Sequence, residues 1–478
     1  MSEHVVLLDE VTDLAPAYAM ADVFYLASRL DPLPNVTIDA AMCGLPIICF
    51  DGASGMAEIL RRDATAGLTV VPHLSADAAA RRIVELADDE LRERIGKATR
   101  ALAQGIFDMD LYVDRIDEIG GQAIESMRQR RADFETLQDD SLFDAGISLP
   151  HNTRRDAAIC ASLAYWSATR TAPHQIDYID LRRPCAGFNP QIYAHYHPDL
   201  LQADINPFAE FIRKGRPQGP WLHPVIRPEF SVSDSSLADL RIAIQAHFHY
   251  PELIRDFLTK LAVNAGSCDL LLSTDEEWKA DALRASTVHF GQGRVEIRVV
   301  PNRGRDLGPL LTSYGNEILE NYDVIGHFHG KRSLGVDPAM GEIWREFLWQ
   351  HLVGDLYPMM DVAVSHFAKE DHLGLVFAEE PHLCDWSANL ALSETLAVRM
   401  GIEPPLPPFF EFPVGSMFWA RPSALSPLLD LKLDWDDYPE EPVPGDGTIL
   451  HALERLIPFS VGKVGLSWST VHIPGVIR

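Results

Sequence analysis

The chain has 478 residues, too many for one ordinary hydrophobic core, so two or three domains are expected. Its 47% hydrophobic and 23% charged residues are those of globular protein, and every apolar run stops short of the roughly 18 residues a membrane-spanning helix needs. A formal charge of −28 excludes general attraction to nucleic acid or anionic lipid, so a phosphate-bearing ligand must meet a local basic pocket.

MSEHVVLLDEV has no basic stretch followed by an apolar one, so the chain reads as cytoplasmic, with peripheral attachment to the inner face of the cytoplasmic membrane as a variant. Cys43, Cys49, Cys160, Cys185, Cys268 and Cys384 form no C-x-x-C pair and are expected to be reduced core thiols. Short apolar runs at Val5–Leu8, Val23–Leu26, Ile47–Phe50 and Leu68–Val71 alternate with helical segments, the pattern of a parallel α/β domain. Amphipathic helices follow over 75–119, with Ser75 as N-cap. This first domain, 1–120, has too few strands for a complete doubly wound sheet.

Residues 121–235 read as a connector carrying a small helical module at about 184–224, FNPQIYAHYHPDLLQADINPFAEFIRKGRPQGP. That segment resembles a short motif found beside polysaccharide-synthesis transferases and suggests a packing element. A second α/β pattern occupies 236–478. Its runs at Arg241–Ala246, Asp269–Ser273, Val295–Val300 and Tyr322–His329 imply four strands of another Rossmann-like sheet.

In the first domain, SRLDPLPNVTIDAAMCGLPIICFDGASGMAEI puts Asp31 and Asp39 around a helix start. A helix N-terminus offers N–H groups to phosphate, and nearby carboxylates accept hydrogen bonds from sugar or ribose hydroxyls. The plain alternative is a turn cap and a helix acid. The segment resembles the nucleotide-sugar half of glycosyltransferase family 4, which has the two-Rossmann-domain GT-B architecture. Glutamates stand there where this chain has the shorter Asp31 and Asp39. The resemblance implies that Asp39 holds the ribose and Asp31 the donor sugar. It covers residues 3 to about 120, so the acceptor domain and the earlier part of the donor domain lie outside it.

In the second domain, Asn302-Arg303-Gly304-Arg305-Asp306-Leu307-Gly308 follows a strand and precedes a helix. Backbone N–H groups and the guanidiniums of Arg303 and Arg305 would converge where α/β sheets bind phosphate and would meet the charge of a departing diphosphate. The competing reading is a surface turn with Asp306 as a cap. His327-Phe328-His329-Gly330-Lys331 ends the next run, and strand alternation puts both histidines on one face. Diphosphate or hydroxyl contacts are expected there. A divalent metal is not, because two imidazoles and a lysine make a poor site for a hard cation.

Asp446 in GDGTILHALER stands at a helix start, where it can serve as the base toward an acceptor hydroxyl or as the N-cap. His451 and Glu454 share one helical face and can orient Asp446 or line the acceptor site. Trp419, in FPVGSMFWARP, offers a ring face for a sugar, though core packing is the commoner role of such a residue.

AHFHYPELI, CDLLLST, VVPNRGRDLGPLL, YDVIGHFHGKRS, FPVGSMFWARPSAL and GDGTILHALERLIP together resemble the rhamnan-synthesis protein F family over nearly all of the last 240 residues. The fold expectation is therefore α/β throughout: a partial GT-B Rossmann-like domain, a helical connector module and a second, GT-A-like sugar-transferase domain. The resemblance implies a glycosyltransferase moving rhamnose or a related deoxysugar from a dTDP- or UDP-sugar to a cell-surface polysaccharide or lipopolysaccharide. Its partners would be the nucleotide sugar, a lipid-linked glycan acceptor and other polysaccharide-synthesis proteins, with no nucleic acid. Arg305, His329 and Asp446 would be catalytic, and Asn302, Arg303, Asp306, His327, Lys331, His451 and Trp419 would contact substrate. The alternative is a non-catalytic scaffold or glycan-binding subunit.

Overall fold

A computed structural model describes residues 4–7, 11–149, 154–171, 182–230, 232, 240–330 and 338–478, leaving aside the side chains of 169–171 and 338. The chain divides into two compact units, Met1–Glu125 and Ser126–Arg478.

The first unit holds a parallel sheet of β1 (Phe24–Leu26), β2 (Ile47–Phe50) and β3 (Val70–Val71), in that order. All four residues of β2 are buried, because helices cover both faces of this central strand. Its side chains alternate accordingly: Ile47 and Cys49 pack with Met56, Leu60 and Ala103, whereas Ile48 and Phe50 pack with Val71, Leu86 and Ile95. Ser75 caps helix Ala76–Glu85 as expected, accepting from Ala78 N. One expectation fails here. Val5, Val6 and Leu7 form no strand and lie exposed, since no described strand offers the run a ladder to join.

In the second unit, the end of helix Met109–Asp139 shares a core with helices Arg155–Thr171, Pro190–Tyr196, Asp199–Gln202 and Pro207–Arg213. Leu137, Phe143, Ile159, Phe188, Tyr193 and Phe208 fill that core, so connector and module make one helical layer. The repeated Asn-Pro explains two of its turns. Asn189 and Asn206 each accept from the next helix's first N–H groups, and proline follows at a position that needs no donor.

The layer is fastened to the neighbouring sheet by a buried ion cluster. Arg183, 1% exposed, meets Glu379 at 3.1 Å and both carboxylate oxygens of Glu411. Glu379 also accepts from Gly187 N at 3.0 Å and pairs with His223 at 2.9 Å. Burial alone would raise the Glu379 carboxyl, but Arg183 and His223 outweigh it and hold the group ionised.

The large sheet contains β4 (Val225–Ile226), β5 (Ile242–His247), β6 (Asp269–Thr274), β7 (Val295–Val299), β8 (Val324–His329), β9 (Leu373–Ala378), β10 (Phe418–Ala420) and β11 (Ser467–Val471). Its order is β4-β11-β9-β10-β8-β5-β6-β7, parallel throughout except for β10. This is the expected second Rossmann-like sheet, enlarged by β4, β9, β10 and β11. From β5 the chain steps outward through β6 and β7, then returns to lay β8 on the other side of β5. Such a reversal is where open α/β sheets leave a crevice for ligands. Separate apolar cores cover the two faces of the sheet, one containing Phe328 and Trp419 and the other Ile325 and Phe418.

One detail departs from the sequence reading. Cys43 and Cys160 are exposed rather than in a core, although all six cysteines are free thiols. No helix among the described residues is long and apolar enough to cross a membrane.

Candidate functional site

The loop after β7 turns through left-handed backbone at Gly304 (φ 70°) and Arg305 (φ 50°). A Cβ on Gly304 would lie 2.7 Å from Gly308 Cα and 2.9 Å from the Tyr438 ring, so glycine is what lets the loop close. Asp306 is thereby turned inward, 8% exposed, with Oδ2 at 3.4 Å from His327 Nε2. His327 Nδ1 lies 2.7 Å from Gln245 Oε1, its register partner on β5. Thus His327 is wholly buried and braces Asp306 from inside the sheet.

A cavity of about 630 Å³ opens at the C-terminal end of β8. Of the second-domain residues singled out from sequence, Arg305, Asp306, His329, Asp446, His451 and Glu454 line it. Four others do not. Asn302 is exposed away from the cavity, and Arg303 turns to Asp436 and Glu440, more than 130 positions along the chain. His327 sits beneath the wall, as described. Trp419 belongs to the core: it is 0% exposed, packs on Phe328, and donates its indole N–H to Leu352 O at 2.7 Å. A sugar-stacking role for it is therefore corrected to core packing. Lys331 lies outside the described residues.

Within the cavity the charges are mostly matched. Arg305 reaches Glu441 at 3.4 Å and donates to Val443 O at 3.1 Å. Asp446 accepts from Asn389 Nδ2 at 2.6 Å and Ala388 N at 3.2 Å. Burial works to raise its carboxyl, yet these bonds and one from Gly447 outweigh it and hold the group below the usual range. The N-cap position of the following helix, Ile449–Lys463, is Thr448, so Asp446 does not cap it.

Glu454, which the sequence offered with His451 as a residue to orient Asp446 or line the acceptor site, is one of the cavity's lining residues. Glu454 projects from Ile449–Lys463 into the cavity, its side chain 14% exposed, and accepts from Gly415 N at 2.7 Å and Ser416 Oγ at 3.3 Å. The carbonyl of the same Gly415 accepts from His329 Nε2 at 2.8 Å. One glycine thus joins the end of β8 to the helix. Its φ is 90°, and a Cβ there would lie 2.9 Å from Leu348 and 3.2 Å from Trp344. Burial, with Asp306 adding to it, pushes the Glu454 carboxyl up to about 7 against the pull of Arg455 and the Gly415 N–H. A carboxyl poised there exchanges a proton near neutrality.

Helix Pro338–Leu352 supplies the remaining wall through Gly341, Trp344, Arg345 and Leu348, the spacing of one helical face. No group of three or more His, Cys, Asp or Glu side chains among the described residues is arranged to hold a metal ion.

In the first unit, Asp31 and Asp39 lie on either side of the start of helix Asn35–Met42. Asp31 N donates to Ala53 O at 2.9 Å, which ties the Asp31-Pro32 turn to the Gly52–Gly55 loop. Asp39, on the helix, is exposed.

The chain thus carries two Rossmann-like sheets, and the second has a charged cavity at its strand reversal. Consistent with this, residues 1–102 match the model described as Glycosyl transferases group 1. Residues 214–463, more than half of the chain, match Rhamnan synthesis protein F, and the chain belongs to that family. It is also similar to two proteins from strains of Xanthomonas campestris pv. campestris, each named "Uncharacterized protein WxcX", at 34% identity over 183 residues. The matched stretch is 37% of this chain and 26% of each relative, so the chain covers about a quarter of their length. No solved structure matches significantly.

Proposed function

We propose that the cavity of the second unit transfers a rhamnosyl or related deoxyhexosyl group from a dTDP- or UDP-linked donor to a hydroxyl of a lipid-linked surface glycan. The observation that carries this reading is Glu454, a carboxyl held in the cavity through Gly415 and poised to exchange a proton near pH 7. As carboxylate it takes the acceptor hydroxyl proton. The acceptor oxygen bonds to the anomeric carbon while the bond from that carbon to the diphosphate oxygen breaks, and the electron pair departs with the nucleoside diphosphate.

In this reading Arg305 meets the leaving phosphate, and His329 holds the Gly415 turn that aims Glu454. Asp446, already engaged by Asn389 and Ala388, steadies the acceptor side with His451 and replaces Glu454 in neither geometry nor proton affinity. Asp31 and Asp39 of the first unit accept hydrogen bonds from the hydroxyls of a second sugar nucleotide that takes no part in this transfer. The reaction belongs at the inner face of the cytoplasmic membrane, where other polysaccharide-synthesis proteins would present the acceptor. Family membership supports the sugar and the glycan class.

The test incubates the full chain with a panel of dTDP- and UDP-sugars and lipid-linked acceptors, read by mass spectrometry. Transfer from a deoxyhexose donor, abolished in Glu454→Gln, is expected. Glycan binding without any donor turnover would replace the reading with a scaffold.

A further inference from the structure

Arg345 differs from the other arginines of the cavity. Arg305 is paired with Glu441 and the Val443 carbonyl, and Arg455 donates to the carbonyls of Asp385 and His451 beside Glu454. Arg345 is 9% exposed, yet among the described residues its guanidinium makes no hydrogen bond, and its Nε has no acceptor there. Its nearest carboxylate, Glu342, stands 3.9 Å away and is 75% exposed, a pair that solvent screens. The guanidinium lies 5.3 Å from the Trp349 ring centre, which steadies its position without neutralising it. Next to it on the same helical face, Trp344 also lacks an acceptor for its Nε1.

A guanidinium withdrawn from water without an acceptor is costly, and a planar fork of N–H donors in a cavity matches phosphate oxygens. We infer that Arg345 is an anion-anchoring residue of this cavity, the group that grips a phosphate of the nucleoside diphosphate from the wall formed by helix Pro338–Leu352. The inference rests on reading the cavity as a transferase site. It adds to that reading a residue that no sequence motif marked, and it moves the main phosphate grip away from the already compensated Arg305. Gly341 lines the same wall and carries no side chain to hold a diphosphate off the helix.

The test measures equilibrium binding of UDP, dTDP and uridine to the full chain by calorimetry, together with hydrogen exchange read peptide by peptide. UDP or dTDP should protect the 341–348 peptide in the wild type. Arg345→Gln should raise the Kd for the better-bound diphosphate at least tenfold and remove that protection, with uridine binding unchanged. Arg345→Lys, which keeps the charge but not the fork, should recover part of the affinity. Equal affinity and equal protection in Arg345→Gln would overturn the inference, as would a wild type in which neither diphosphate protects 341–348. Because uridine carries no phosphate, a general loss of folding would weaken all three ligands and separates from the expected pattern. If a diphosphate protects 341–348 through Arg345 but no sugar is transferred from any donor, the anion site stands and the transferase reading fails.

Discussion

Replacing Glu454 by glutamine keeps the side chain's size while removing its titration, so the substitution separates the charge of this group from its shape. Raising a carboxyl from 4.5 to about 7 corresponds to about 3 kcal/mol between its protonated and ionised forms. The folded-state value lies above the unfolded one, so the stability that protonated Glu454 contributes is fully present below pH 4.5 and is lost as pH rises through about 7. Wild type should therefore lose up to about 3 kcal/mol relative to Glu454→Gln between pH 4.5 and 8. Thermal unfolding of both proteins across that range measures the difference, and the variant should gain on the wild type as pH rises.

Catalysis should move the opposite way. The wild-type rate should climb through pH 7 as the carboxylate forms, and the variant should lose roughly 10²–10⁴-fold in kcat with little change in the donor KM. A Glu454→Gln enzyme that keeps the wild-type rate and its inflection near neutrality would refute the reasoning. So would a stability difference that does not vary with pH.

Two further substitutions probe how the site is held. Arg183→Ala leaves the carboxylates of Glu379 and Glu411 buried without their cation and should cost about 3–5 kcal/mol, read as a lowered thermal midpoint. Gly415→Ala forces a Cβ to within 2.9 Å of Leu348 at a positive φ, so His329 and Glu454 should lose their common partner; kcat should fall at least tenfold. Circular dichroism should show secondary structure unchanged by that second substitution.

What the sequence disclosed follows from how each element is specified. β2, β5, β6 and β8 are buried continuous runs, and such strands announce themselves. β10 has only three residues and draws its stability from ladders with β8 and β9, which no local pattern records. The same holds at the site. The glycine-arginine loop was legible as a strand-end turn, but the acidic partners of Arg303 and Arg305 lie some 130 positions later and redirect both side chains. Trp419 allows both a stacking role and the commoner core role, and β10's place between two strands decides for core. Glu454 shares a helical face with His451, a signal that was present; the Gly415 contact that gives it importance is 39 residues distant. Arg345 carried no signal, since an arginine on a helix ordinarily faces water.

The measurement that bears most directly on the central claim compares donor turnover by the full chain with that of Glu454→Gln and of Asp31→Asn/Asp39→Asn, using one deoxyhexose nucleotide and one lipid-linked acceptor. Product mass should show a deoxyhexosyl group added by the wild type, lost with Glu454→Gln, and still formed when only the first unit is altered. Transfer that survives Glu454→Gln and vanishes with the Asp31 and Asp39 substitutions would place the chemistry in the first unit and contradict the account.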